Sequence, residues 1–240
     1  MQELSDNSSK LLKDAIECFY KKQYKKAYWF CKMELMKNRD DYFALCWYAN
    51  SLYFMGANND RKAASIYKKA IKIYPNHPLA HAGLGRIHYS NALKIHNEFS
   101  MFPGGSWAMF ADEMSPENGE DVHKISIPGY ADSRVGNREI AIKELETAAD
   151  LSDEKQDKID LLFMIAVLYC TFNNKLAIKI YKRILKLDPP NIDVHYHLAG
   201  CYAAIGDSKS ALSEFEYIKE NAPELTKDLK SILDRFGTPI

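Results

Sequence analysis

The stretch VHYHLAGCYAAIGDSKSALSEFEYIKENAP, from Val194 to Pro223, decides the fold of this 240-residue chain. Its apolar residues recur at helical spacing on both sides of a polar turn, which indicates two amphipathic helices. Pro223 ends the second helix, because proline lacks a backbone N–H and restrains the residue before it. The stretch therefore predicts one helix-turn-helix unit.

The same pattern stands 34 residues earlier, in DLLFMIAVLYCTFNNKLAIKIYKRILKLDP, which ends at Pro189. Ala211 then corresponds to Ala177, and the aromatic Phe215 corresponds to Tyr181. A small residue in the second helix lets it pack closely on the first, and a large residue four positions on fills the space beneath the next pair. Neither unit buries its apolar face alone, so the units must stack.

Three further units precede these two. Their small residues are Ala27, Ala63 and Ala141, and the residues four positions on are Cys31, Tyr67 and Leu145. In the third unit Ala141 arrives about 44 residues late, so the inner turn of that unit carries an insertion, placed at about residues 98–136.

The insertion opens with FSMFPGGSWAMF, which is too apolar for a solvated linker. Burial of each large side chain there is worth roughly 1.5–3 kcal/mol, so these residues are expected to make contacts. Three interpretations stay open: the insertion packs on its own helices, it borders a binding groove, or it forms an oligomer contact. The contact residues expected in each case are Phe99, Phe102, Trp107 and Phe110.

The 34-residue period, with Leu198-x3-Tyr202, Gly206, Ala211, Phe215 and Pro223, resembles the tetratricopeptide-repeat family. The resemblance implies an all-α, right-handed helical solenoid of about five helix-turn-helix units, forming a single domain over residues 1–240. The units are placed at residues 8–41, 42–77, 78–157, 158–191 and 192–225, with a capping helix at 224–236.

In that family the first helices of successive units line a concave groove that binds partners, often peptides. The resemblance therefore implies a partner-binding groove built here from Phe19, Asn50, Tyr53, Arg86, Tyr89, Tyr169 and Tyr196. Further positions on the same helix faces are Leu12, Ile16, Cys46, Ala82, Leu162, Ala166, Gly200 and Ala203. An aromatic surface with few charges suits a hydrophobic peptide or an amphipathic helix.

Charge is unevenly spread along the chain, although the formal net charge is zero. Residues 1–97 hold 16 Lys and Arg against 8 Asp and Glu, residues 98–136 hold 2 against 7, and residues 137–240 hold 14 against 17. The basic clusters YKKQYKK and YKKAIK fall on second helices or turns, so they indicate a solvated face rather than a nucleic-acid site.

The five cysteines have no CxxC spacing, and the N-terminal residues lack the apolar core of a signal peptide. We expect reduced, buried thiols and a cytoplasmic protein with no membrane partner, because the longest apolar run is half of what a membrane span needs.

Catalytic and metal motifs are not recognisable in the sequence. His88 and His96 lie too far apart on one helix, about 12 Å, to share a metal ion. We predict a protein-interaction adaptor that binds a peptide or amphipathic helix of a partner in its concave groove, with the insertion bordering that groove. We expect no enzymatic activity, no cofactor and no metal. Two alternatives stay open: a self-associating structural protein that uses the insertion as its oligomer contact, and an enzyme or metal-binding protein built on the insertion.

Overall fold

The computed structural model describes residues 9–97 and 130–238, and throughout these residues the regular elements are helices. Within these two ranges, eleven α-helices form five antiparallel pairs and one terminal helix. They are α1 (Lys10–Tyr20), α2 (Tyr24–Lys37), α3 (Tyr42–Phe54), α4 (Asp60–Ile73), α5 (Pro78–Asn97), α6 (Tyr130–Leu151), α7 (Lys155–Cys170), α8 (Asn174–Leu187), α9 (Ile192–Ala204), α10 (Ser208–Asn221) and α11 (Thr226–Arg235). Short 3-10 turns at Ala57–Asn59 and Pro223–Leu225 precede α4 and α11. The predicted all-α class of stacked helix pairs is confirmed.

Helix starts follow from side-chain caps that satisfy the first backbone N–H groups. The carboxylate of Asp41 accepts from Ala44 N at 2.8 Å, and the amide oxygen of Asn191 accepts from Val194 N at 3.1 Å. Ser9, Asn173 and Asp207 cap α1, α8 and α10 in the same way. These caps fix where each of these five helices begins.

Two helix boundaries differ from the sequence-based expectation. Helix α6 begins at Tyr130, seven residues before the predicted start at Asn137, and α7 begins at Lys155 rather than after residue 157. The sequence analysis places the end of the insertion at Gly136, but a single glycine inside a long helix costs only about 1 kcal/mol. Nothing lies within 4 Å of a Cβ built on Gly136, so that position exerts no packing constraint either.

Contacts divide the chain into two compact units, Met1–His88 with Lys143–Ser152 and Tyr89–Ile142 with Asp153–Ile240. We refer to them as the first and second compact units. In the first, α1 packs on α2, α2 on α3 and α3 on α4. In the second, α7 packs on α8, α8 on α9 and α9 on α10, while α11 covers α9 and α10. The single domain expected from the sequence stays a prediction.

The small residues of the repeat lie in the core, as predicted. Each is at most 1 % exposed: Ala27, Ala63, Ala141, Ala177 and Ala211. The residues four positions on are also buried: Cys31, Tyr67, Leu145, Tyr181 and Phe215. Because a buried Tyr or Phe removes roughly 150–250 Å² from water, the large positions contribute much of the stability of each pair.

Tyr67 and Gly83 interlock within the first compact unit. A Cβ on Gly83 would overlap the ring of Tyr67, so only glycine allows α5 to pack so closely on that ring. Gly85 makes a similar approach to Leu145, where a Cβ would lie 2.8 Å from the side chain. These two glycines let Tyr67 of the second pair and Leu145 of the third pair pack closely against α5.

Four of the five cysteines are buried, and Cys18 is half-buried. Burial raises the pKa of the Cys31 and Cys46 thiols to about 12. In the second compact unit the sulfur atoms of Cys170 and Cys201 lie 3.5 Å apart, beside the hydroxyl of Tyr181. All five are free thiols, and the expectation of full burial fails only for Cys18.

Candidate binding surfaces

Phe19 lies at the centre of a group of five aromatic rings in the first compact unit. Its ring centroid is 5.1 Å from Trp47, 5.2 Å from Phe54, 5.3 Å from Tyr24 and 6.1 Å from Tyr20. All four contacts are edge-to-face, the geometry that the quadrupoles of aromatic rings favour. We call this group the Phe19 cluster.

The Phe19 cluster gathers the ends of three helices at the inner turn of the first pair. Phe19 and Tyr20 end α1, Tyr24 begins α2 and Phe54 ends α3. Tyr20 is 64 % exposed and Phe54 is 49 % exposed, so the cluster is a water-facing aromatic patch on an ordered base. Such partly exposed aromatic side chains are typical anchors of protein interfaces.

The turn beside the Phe19 cluster adopts an unusual backbone conformation. Lys22 has φ of 58°, in the left-handed region that a side chain other than glycine rarely adopts. Its N–H donates to the Phe19 carbonyl at 2.8 Å, and Gln23 N–H donates to Cys18 O at 2.9 Å. The corresponding position of the fifth pair is Gly206, with φ of 78°. Lys22 therefore places an exposed cation beside the cluster at some cost in backbone energy.

Tyr53 and Asn50 connect the Phe19 cluster to the core of α3 and α4. Tyr53 is half-buried and its ring centroid lies 5.3 Å from that of Phe54. The Tyr67 hydroxyl donates to Asn50 Oδ1 at 2.6 Å. Burial is the main cause that raises the pKa of Tyr67 well above its usual value, and the nearby charge of Arg86 opposes that effect. Asn50 thus positions a core tyrosine, while Arg86 is exposed.

In the second compact unit the three remaining groove residues are half-buried. Burial raises the pKa of the Tyr89 hydroxyl to about 12. Burial, and secondarily the charge of Asp228, raises the pKa of Tyr196. Tyr169 lies 5.3 Å from the exposed ring of Phe172, which carries the Arg138 guanidinium over its face at 3.9 Å.

The other positions named on the groove-facing sides are not surface residues. Their side chains are buried in the structure, except for glycine, which has none: Leu12, Ile16, Cys46, Ala82, Leu162, Ala166, Gly200 and Ala203. Buried positions cannot line an open groove, so the structure does not support this part of the prediction. The insertion contacts Phe99, Phe102, Trp107 and Phe110 lie outside the described residues.

Two histidines hold an ionic bridge that the sequence analysis missed. His81 Nδ1 lies 2.6 Å from Glu144 Oε2 and its Nε2 lies 2.9 Å from the carbonyl oxygen of Pro75. Both ring nitrogens face acceptors, an arrangement that the doubly protonated imidazolium satisfies. The hydrogen bond that Glu144 accepts is the largest cause that raises the pKa of His81, and burial opposes it.

His195 repeats this geometry in the second compact unit, with Nδ1 2.6 Å from Glu214 Oε2 and Nε2 3.0 Å from Pro189 O. The sequence signal was available, since each histidine follows the proline by six residues and each glutamate follows the small alanine by three. Within residues 9–97 and 130–238, no group of three His, Cys, Asp or Glu side chains has the arrangement of a metal site.

Among the helices of these same ranges, none has the length and apolarity needed to cross a bilayer.

Both basic clusters have exposed lysines, as the sequence analysis expected. These lysines lie on α2, on α4 and in the turn before α2.

Comparisons with known proteins identify the repeat. Two models described as tetratricopeptide repeat match residues 43–77 and 172–233. No curated protein sequence is a significant match.

Solved structures of similar fold include MamA, with 14% identity and a TM-score of 0.61 over 90% of this chain and 92% of that one. The thermophilic tetratricopeptide-repeat protein TTC0263 of Thermus thermophilus shares 17% identity, with a TM-score of 0.52 over 94% and 96% of the two chains. YrrB, described as a tetratricopeptide-repeat protein with an unusual peptide-binding site, shares 17% identity, with a TM-score of 0.53 over 86% and 90%.

Proposed function

Because this chain belongs to the tetratricopeptide-repeat family, we propose that it is a protein-interaction scaffold, without catalytic activity, that binds an extended or helical segment of a partner on its first-helix faces. In the first compact unit these faces belong to α1, α3 and residues 78–88 of α5. In the second compact unit, a separate surface belongs to residues 89–97 of α5, α7 and α9. The fold supports the general role, and the exposed side chains support the particular surface.

The Phe19 cluster is the observation that carries the proposal. A soluble helical repeat gains nothing in stability by leaving Tyr20 and Phe54 in water, yet both rings are held in a fixed frame by their neighbours. Pre-organised aromatic rings lose little conformational entropy on binding, which makes them efficient anchors for an apolar partner side chain.

Exposed cations at the turn after α1 and on α5 define the partner further. Lys21 and Lys22 are exposed at the turn, and Arg86 is exposed on α5. Lys21 is paired with Glu17, so we take the exposed Lys22 and Arg86 as the cations that contact the partner. We therefore expect a segment with aromatic or aliphatic anchors and acidic residues beside them.

The test compares partner capture by exposed-residue variants that leave the core intact. Tyr20→Ser, Phe54→Ser and Arg86→Glu should each reduce the yield of a captured partner at least about tenfold, as expected for anchor residues. Ile73→Ser on α4 is the matched control, because Ile73 is also an exposed large apolar residue. Circular dichroism melts of all four variants check that folding is retained.

Equal capture by wild-type protein and all three variants would contradict the proposed surface. A dimer in light scattering that persists in these variants but disappears when residues 99–135 are replaced by a Gly-Ser turn would favour the self-association alternative instead. Zinc or iron that co-purifies with the protein would favour the metal-binding alternative.

A further inference from the structure

Helix α2 presents three large apolar side chains to water. Trp29 is 58 % exposed, Met33 is 49 % exposed and Met36 is 77 % exposed. At about 100° per residue they fall within a stripe of about 60°, and this stripe lies opposite the buried Ala27 and Cys31. The core of the first compact unit therefore does not use them, and we call them the α2 stripe.

Lysines border the α2 stripe on both sides. On the helical wheel Lys25 and Lys32 flank one edge, and Lys26 and Lys37 flank the other. The ammonium of Lys32 lies 4.9 Å from the centroid of the Trp29 ring. All four lysines are exposed.

The only acidic residue of α2 is Glu34, which is buried on the opposite side. Lys37 Nζ is 3.9 Å from its carboxylate, a long separation for an ion pair. The outer face of α2 thus combines an apolar centre with positive edges and carries no negative charge of its own.

We propose that the outer face of α2 binds the surface of an anionic lipid bilayer, in addition to the partner binding proposed above. Trp and Met enter the boundary between headgroups and acyl chains, while the lysine stems extend along the apolar face and their ammonium groups contact lipid phosphates. The helix lies in the plane of the surface and does not cross it. The expectation of no membrane partner rested on the lack of a spanning segment, and surface binding needs none.

Shape and charge favour this occupant over two others. A partner helix binds in a groove between elements, whereas these three side chains lie on the crest of a single helix. A second copy of the chain would bring lysine-bordered stripes face to face, and like charges repel. A flat anionic surface matches both the apolar crest and the cations on its two sides.

Co-sedimentation of the full chain with lipid vesicles tests the proposal. Vesicles of phosphatidylcholine with about 30 mol% phosphatidylserine, at about 0.1 M NaCl, should bind the protein, and vesicles of phosphatidylcholine alone should bind it at least about tenfold more weakly. Raising NaCl to about 0.5 M should weaken binding to the anionic vesicles, because the Debye length shortens.

Two double variants separate the apolar and charged contributions. Trp29→Ser with Met36→Ser, and Lys25→Glu with Lys32→Glu, should each lower the partition coefficient about tenfold or more. Lys62→Glu with Lys68→Glu on α4 is the matched control, since it makes the same charge change at exposed lysines outside the stripe.

Failure of the wild-type chain to bind the anionic vesicles would overturn the proposal. An equal loss in the α4 control would overturn it as well, because binding would then follow overall charge. If the α2 variants lose a purified protein partner and vesicle binding is absent, the stripe is a protein-docking face instead. Tyr20→Ser and Phe54→Ser, outside the stripe, should bind vesicles as wild type does, so the outcome is independent of the proposed partner site.

Discussion

The third and fifth helix pairs fill one position of the repeat with an ionic bridge, while the second and fourth pairs fill it with apolar side chains. His81 and Glu144 form the bridge in the first compact unit, and His195 and Glu214 form it in the second. Their geometries agree closely, although 32 residues separate the two helices of the third pair and only three those of the fifth.

At the corresponding positions the second pair has Leu45 and Ile66, and the fourth has Leu161 and Ile180. Leu45, Leu161 and Ile180 are buried. The same two positions of the repeat therefore hold either a histidine–glutamate pair or two apolar side chains. Apolar side chains are sufficient for packing. A buried ion pair must in addition offset the free-energy cost of removing both charges from water. What the histidine version adds is a hydrogen bond to the preceding proline carbonyl and, at His81, a response to pH.

Removing one partner of the His81–Glu144 bridge should cause the largest change in the free energy of unfolding. Glu144→Ala leaves the buried Nδ1–H of His81 without an acceptor, and we expect a loss of about 2–4 kcal/mol in the free energy of unfolding at about pH 6. Denaturant unfolding measures it. Glu139→Ala, at an exposed position of the same helix, should change stability by less than about 0.5 kcal/mol.

The loss should shrink as the pH rises. The folded-state pKa of His81 is raised, so its stabilising contribution is complete below the ordinary histidine pKa and disappears as the pH passes through the folded value. A loss for Glu144→Ala that is the same at about pH 6 and about pH 9 would contradict the charged bridge.

His197 should respond to pH in the opposite direction. Burial lowers its pKa to about 4, and its ring stacks on Tyr181 with centroids 5.6 Å apart. The unfolded chain binds a proton near pH 6.5 that the folded chain accepts only near pH 4. Stability should therefore fall by roughly 2–3 kcal/mol as the pH is lowered across that interval.

Unfolding measured in parallel on His197→Phe isolates this contribution. The variant keeps an aromatic ring against Tyr181 but cannot bind a proton, so its stability should fall less on the acid side. If the stability of the variant falls as steeply on acidification as that of the wild-type chain, groups other than His197 cause the pH dependence.

Replacing the bridge by the apolar pair found in the second and fourth helix pairs should lower the free energy of unfolding by less. His81→Leu combined with Glu144→Ile copies the second and fourth pairs, and the combined change should cost no more than about 1.5 kcal/mol at about pH 6, well below the cost of Glu144→Ala alone. A double variant as unstable as the single one would mean that the two positions are not interchangeable in shape.

The smallest expected change in stability comes from a substitution in the turn after α1, and this substitution should stabilise the protein. Lys22→Gly removes a side chain from the left-handed backbone region and makes the first pair resemble the fifth, where Gly206 stands. Stability should rise by roughly 0.5–1 kcal/mol in denaturant unfolding. Lys13→Gly, at an exposed position inside α1, should instead lower it by about 1 kcal/mol.

The repeat itself was predictable from the sequence because its signals are local and periodic. Ala63, Ala177 and Ala211 recur at fixed distances from large residues and prolines, and each is buried where the pattern places it. The early start of α6 was not predictable from Gly136, because one glycine weighs little against a long helix.

The candidate surfaces were only partly predictable. Phe19, Tyr53 and Arg86 were named and lie at least partly in water, but the position of Phe19 among rings from three helices depends on tertiary contacts. Exposure of the α2 stripe is decided by which face of α2 packs inward. That choice depends on Ala27 and Cys31 having a partner helix, which the local pattern of α2 does not specify.

The interlock of Tyr67 with Gly83 has a consequence for how this sequence can change over generations. A side chain at position 83 is admissible only after the ring at position 67 has been replaced by something smaller, and a smaller residue at 67 alone leaves an empty space. Either order of mutation therefore passes through a destabilised intermediate, and the order decides whether that intermediate contains a steric overlap or a cavity.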